Sequence, residues 1–245
     1  MNRRDFLAGG TSFCVSLSLT GNSFAQTTQG EDVDYVDYVA SPPQAYQPYG
    51  TSPPLAAQIE KSKKLMEKAP EATTPSDVLK YYETLQDRNE HGELYNAAWA
   101  NEWNPVIVEF YHSTSLPKAQ IYSQGDTIAW CAACLNYVLN RLGKQSTGNA
   151  MSGSFRLGKG LGSETETPKI GEDIIVFKRS TGVDVGHGHV GIYMGETDAH
   201  YLVLGGNQKA GKRYSSINTT RIPKIGAGLK LASFRSFASI PNRRS

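Results

Sequence analysis

Cysteine is scarce in this chain, with three in 245 residues, at positions 14, 131 and 134. Two thiols separated by two residues and a third far upstream cannot build a disulfide framework, so the fold must rest on its core. Long apolar runs are missing too. No stretch reaches the roughly 18 uninterrupted apolar residues that a membrane-spanning helix needs. There is no repeat of solenoid length. The aromatic-basic motif of a nucleic-acid module is also lacking, so no nucleic-acid partner is expected. From residue 201 onward there are nine Lys/Arg and no Asp or Glu. What is present fits a globular domain: apolar residues make up 39% and charged residues 20%. The 24 glycines gather in the second half, as tight turns between short strands require.

The first residues read as an address rather than as structure. Arg3-Arg4 precedes Phe6-Leu7, a weakly apolar run over 7–19 follows, and Ser23-Phe24-Ala25 offers small residues at a cleavage site. This resembles a twin-arginine export signal of bacteria over 1–25 and implies a periplasmic or extracellular destination. Residues 26–54 are acidic, then rich in proline and tyrosine, and are expected to be an extended, solvated linker. Charge divides along the chain. Residues 26–91 carry six Lys/Arg against eleven Asp/Glu, a net of −5, and residues 92–245 carry seventeen against eleven, a net of +6. A basic surface concentrates an anionic polymer.

The hydrophobic period places helices first. Residues 55–68 carry Leu55, Ile59 and Met66 along one side, 78–87 follow Ser76 and Asp77 as caps, and further helices are expected over 93–102 and 106–112. Residues 55–91 are set apart as a helical segment, and 92–240 as the main domain. Asn104-Pro105 opens the helix over 106–112, because proline at a first helical position costs no hydrogen bond. A longer helix follows Gly125-Asp126-Thr127, with a stripe of Cys131, Cys134, Leu135, Val138 and Leu142, closed by Arg141 and Gly143. Beyond Pro168 the period shortens to that of strands, over 173–178, 188–194, 200–204, 213–217 and 231–237. Helices followed by strands argue for an α+β fold with an antiparallel sheet.

Three groups could carry chemistry. Cys131 lies near the amino end of its helix, where orphan backbone N–H groups and the helix dipole favour a thiolate. A small buried apolar residue is the commoner fate of a free cysteine. In the run over 188–194, Val190, Ile192 and Met194 share one face, and His189, Gly191 and Tyr193 the other. Gly191 would leave a gap beside the histidine for a substrate backbone. His187 is the natural rival to His189. After the next strand comes Gly205-Gly206-Asn207-Gln208, where an amide side chain could accept from a ring nitrogen of the histidine, or where the run is simply a turn.

The runs Trp130-Cys131-Ala132-Ala133, Gly171-Glu172-Asp173, Gly188-His189-Val190-Gly191 and Leu204-Gly205-Gly206-Asn207-Gln208 fall in one order. With Asn104-Pro105 and Asp126 upstream, they resemble a bacterial and phage family related to the CHAP and NlpC-type cysteine peptidases, over about 92–240. The resemblance implies a papain-like fold, with a nucleophile helix packed on an antiparallel sheet. It implies Cys131 as nucleophile, His189 as general base and Asn207 as orienting residue, with Asp126, Trp130 and Gln208 nearby. The activity implied is cleavage of an amide bond in peptidoglycan, as an amidase or endopeptidase, without metal or organic cofactor. Position 134 departs from the pattern, being Cys134 where a bulky apolar residue is usual, and it could pair with Cys131 as a redox partner. That departure sustains a rival class, since Trp130-Cys131-x-x-Cys134 has the form of a thioredoxin-like oxidoreductase motif. Metal-dependent hydrolysis through His187 and His189 lacks a further ligand. A non-catalytic wall-binding module is the remaining alternative.

Overall fold

The computed structural model describes residues 50, 52–157, 161–180, 187–209, 214–226 and 228–243. The expected export signal and nearly all of the expected linker lie outside them. The helices are α1 (Ala56–Glu67), α2 (Pro75–Glu83), α3 (Pro105–Tyr111), α4 (Lys118–Gln124), α5 (Cys131–Arg141) and the short α6 (Ser154–Leu157). The strands are β1 (Glu164–Thr165), β2 (Ile174–Arg179), β3 (Gly188–Glu196), β4 (His200–Gln208), β5 (Ser216–Pro223) and β6 (Leu229–Arg235). They form one sheet in the order β1-β6-β2-β3-β4-β5, with every neighbouring pair antiparallel. The fold is therefore α+β, helices first and sheet afterwards, as the change of period indicates. No helix among the described residues is long and apolar enough to cross a membrane.

Alternation along the strands separates two apolar faces. Ile174, Val176, Val190, Ile192 and Leu204 join the helices in one buried cluster, with Met194 packed against it. Ile175, Phe177, Tyr193, Val203, Ile222 and Leu229 form a second cluster on the opposite face. Leu65, Met66, Val78, Leu79 and Tyr82 of α1 and α2 belong to the same cluster as Phe110 of α3 and Trp130, Leu135 and Val138 of α5. The helical segment over 55–91 thus packs into the core that also supports β3 and β4.

Several local expectations change. No helix forms over 93–102, because the backbone there bonds elsewhere. Ala98 N–H donates to Ser215 O at 2.8 Å and Ile217 N–H to Asn96 O at 2.9 Å, so this segment lies against β5. Asn104 Nδ2 takes the carbonyls of Tyr95 and Ala97, at 2.9 and 2.7 Å, which would otherwise serve a helix. The second helix starts earlier than Ser76 and Asp77 suggest: Thr74 is its cap, accepting from Asp77 N–H at 3.3 Å, and Pro75 is its first residue. The cap of α3 is Asn104, whose Oδ1 accepts from Val106 N–H at 2.9 Å, with Pro105 first in the helix. Gly125–Thr127 form a 3₁₀ turn of their own rather than the cap of α5.

Candidate active site

Helix α5 begins at Cys131 itself, with Trp130 as the flanking residue and no side-chain cap. The first intrahelical bond runs from Cys134 N–H to Trp130 O, at 2.9 Å. The amides of Cys131, Ala132 and Ala133 precede that bond and belong to the orphan donors of a helix start. The helix is held at this end by β4. A Cβ on Gly206 would lie 2.3 Å from Trp130 Cζ3 and 2.9 Å from Cys134 Cβ, so only glycine lets α5 approach so closely. Trp130 is fully buried, and its indole N–H donates to Ser215 Oγ at 3.3 Å. Trp130 therefore anchors the helix start rather than offering a donor to a substrate.

The Cys131 sulfur meets the sheet at Val190, whose backbone N–H points at it. The ladder between β3 and β4 runs from Glu196–Tyr201 to Ile192–Leu204, and Val190 lies two residues beyond that pair. The thiol thus sits against the peptide bond that joins His189 to Val190. Burial pushes the Cys131 thiol up to about 11, against the pull of the amides of Val190, Ala132 and Cys131. Burial likewise lowers His189 to about 4, partly offset by its bond to Gln208. Cys131 is 5% and His189 1% exposed, so this closed form holds a neutral thiol and a neutral imidazole.

The imidazole is held by Gln208, one residue beyond the expected Asn207. Nε2 of His189 lies 2.9 Å from Gln208 Oε1. The Gln208 amide cannot be turned the other way, because its Nε2 faces the carbonyls of Val203 and Gly205, each at 3.2 Å, and of Asn218 at 2.5 Å. An oxygen there would meet three acceptors. Gln208 Oε1 therefore accepts, the histidine carries its proton on Nε2, and Nδ1 keeps the lone pair of a base.

A β-bulge explains why the neighbouring amide does this work. Gly205 pairs with Asn218 and Gln208 with Ser216, so β4 spends three residues where β5 spends two. The extra residue is accommodated by Asn207, whose φ is 65°, a left-handed conformation that asparagine tolerates better than most residues. Simple alternation from Gly205 selects Asn207; the bulge carries Gln208 to the histidine instead.

The remaining candidates fall as follows. Asp126 is buried, its Oδ2 accepting from Asn104 N–H at 2.8 Å, and burial raises it to about 7. It ties the turn before α5 to the cap of α3. Asp173 of the Gly171-Glu172-Asp173 run accepts from Lys169 and Phe237 N–H, at 2.8 and 2.9 Å, and fastens the entry of β2. His187 is exposed ahead of β3. Gly191 leaves no gap: a Cβ there would lie 2.7 Å from Val203 Cγ1 and 2.9 Å from Leu204 O, so its small size admits β4 and not a ligand. Cys131 and Cys134 are both free and buried. The Cys134 sulfur faces Gly206 N–H, and burial, with Cys131 close by, raises its pKa. No group of three His, Cys, Asp or Glu among the described residues is placed to hold a metal. No family model, curated protein or solved structure matches this chain.

Proposed function

We propose that this chain is an exported cysteine hydrolase of papain-like architecture, acting on an amide bond of peptidoglycan. The observation that carries the reading is the placement of Cys131. Its thiol, at the first position of a helix, lies against the peptide bond following His189, and Gln208 fixes the tautomer of that histidine. In the proposed reaction, substrate entry opens the site and the thiol proton passes to Nδ1 of His189. The thiolate attacks the amide carbonyl, and the amides of Cys131 and Ala132 stabilise the oxyanion. His189 then protonates the leaving amine, and water releases the acyl enzyme. The net basic charge of residues 92–245 supports an anionic polymer as partner. The resemblance of the four runs supports peptidoglycan in particular.

The thioredoxin-like alternative is weakened by the sheet. That motif belongs after a strand in a βαβ unit, whereas α5 follows a helix and a 3₁₀ turn and packs on strands that are antiparallel throughout. The test is digestion of purified sacculi with mass spectrometry of the soluble fragments. Cys131→Ser and His189→Ala should each lower fragment release at least 1,000-fold, the order of magnitude lost with a member of a catalytic triad, while a cooperative unfolding transition is retained. His187→Ala should change release by less than about threefold. Release by Cys131→Ser equal to that of the unchanged chain would remove the thiol from the mechanism.

A further inference from the structure

We propose that Asn218 is a positioning residue for the candidate site, locking Gln208 so that His189 keeps its proton on Nε2; its catalytic meaning rests on the hydrolase reading above. Asn218 lies on β5 opposite Gly205, at the last regular pair before the bulge, and is buried. The bulge shifts the pairing of Gln208 to Ser216, and its buried backbone carbonyl takes a side-chain donor there. Asn218 Nδ2 supplies one, at 2.7 Å. The same nitrogen donates to Ser216 Oγ at 2.8 Å, which fixes the Asn218 amide in turn. In the reverse direction the main-chain carbonyl of Asn218 accepts from Gln208 Nε2 at 2.5 Å, with Asn218 Oδ1 at 3.5 Å from the same nitrogen. Gln208 is thus held at both its main chain and its side chain by one residue, with Oε1 turned toward the histidine. Removing the Asn218 side chain leaves the buried Gln208 carbonyl without its donor, and the displaced main chain carries the Gln208 side chain with it.

The experiment uses the full chain with ¹⁵N-labelled histidine. In a Cys131→Ala background, where turnover plays no part, His189 should show a single tautomer with Nε2 protonated. Asn218→Ala should convert that signal to a mixture of both tautomers, and Ser216→Ala should do so to a smaller extent. In the active chain, Asn218→Ala should lower kcat for sacculus digestion roughly tenfold, the scale of one buried hydrogen bond, with KM unchanged. That loss should vanish when Asn218→Ala is placed on Gln208→Ala, because the two act through one bond to the ring. A single unchanged tautomer in both Asn218→Ala and Ser216→Ala would overturn the proposal. So would a full additional loss on the Gln208→Ala background. If the unchanged chain digests nothing, the hydrolase reading fails, and the tautomer comparison alone then decides whether Asn218 positions the ring.

Discussion

His189 and Asp126 are both 1% exposed, and burial shifts them in opposite directions, His189 down to about 4 and Asp126 up to about 7. Their effects on stability therefore oppose each other as pH changes. Above pH 6.5 the histidine is neutral whether the chain is folded or not. Below it the unfolded chain takes up a proton that the folded chain refuses until about 4, so stability is lost as pH falls through that window. At about 1.4 kcal/mol per pH unit, the whole window is worth about 3 kcal/mol. Below 3.8 the carboxyl is protonated in both states. Above it the unfolded chain ionises while the folded chain holds its proton until about 7, so stability is lost as pH rises, by about 4 kcal/mol in all. Between about pH 4 and 6.5 the two slopes cancel.

Single substitutions should uncover each slope. Asp126→Asn keeps an oxygen to accept from Asn104 N–H, and should become more stable relative to the unchanged chain by about 1.4 kcal/mol for each unit of rising pH. His189→Gln should move the opposite way by a similar amount. Urea unfolding at pH 4.5, 5.5 and 6.5 measures both. Exposed carboxylates titrate alike in the three proteins, so differences between curves isolate the buried pair. Two variants whose stabilities run parallel to the unchanged chain across this range would show that neither group is held in its buried form.

Two further outcomes follow from the packing at the start of α5. Gly206→Ala forces a Cβ into Trp130 and Cys134, whereas at Gly205 the nearest atom would be 3.4 Å away; the first change should cost about 1–3 kcal/mol in urea unfolding and the second much less. Mild oxidation should link Cys131 to Cys134, which share one face of the helix start, and remove activity until reductant is added. Cys134→Ala should escape that reversible loss, and peptide mapping by mass spectrometry reads the link directly.

Much of this arrangement was legible in residue order. The apolar stripe of α5, the strand period around Val190 and Ile192, and the Asn104-Pro105 start of α3 depend on local chemistry that a single segment carries with it. The segment over 93–102 did not yield to the same reading. Its apolar residues have helical spacing, but its carbonyls at Tyr95 and Ala97 are claimed by Asn104, and its amide at Ala98 by Ser215. These are tertiary bonds, and they override propensity. Gly191 failed for a related reason. A glycine in a strand marks a close approach, but sequence does not say whether the approaching atom is a ligand or, as here, Val203 and Leu204 of the neighbouring strand.

The orienting residue shows the limit most clearly, because it depends on one unit of register. With a period of two, Gly205 and Asn207 share a face, and a shift of one residue exchanges Asn207 for Gln208. The signal for that shift lies partly in the chain. Asn207 is an asparagine following two glycines, a composition that suits a left-handed residue in a bulge as well as it suits a turn. What the chain alone cannot supply is the partner that makes the bulge tolerable. Asn218 lies ten residues beyond Gln208, on another strand, and it supplies a donor to the Gln208 carbonyl at the bulge. The bulge, Asn218 and the tautomer of His189 therefore form one unit. A substitution that restores regular pairing at Asn207 should swing Gln208 away from the ring even though it touches neither His189 nor Cys131.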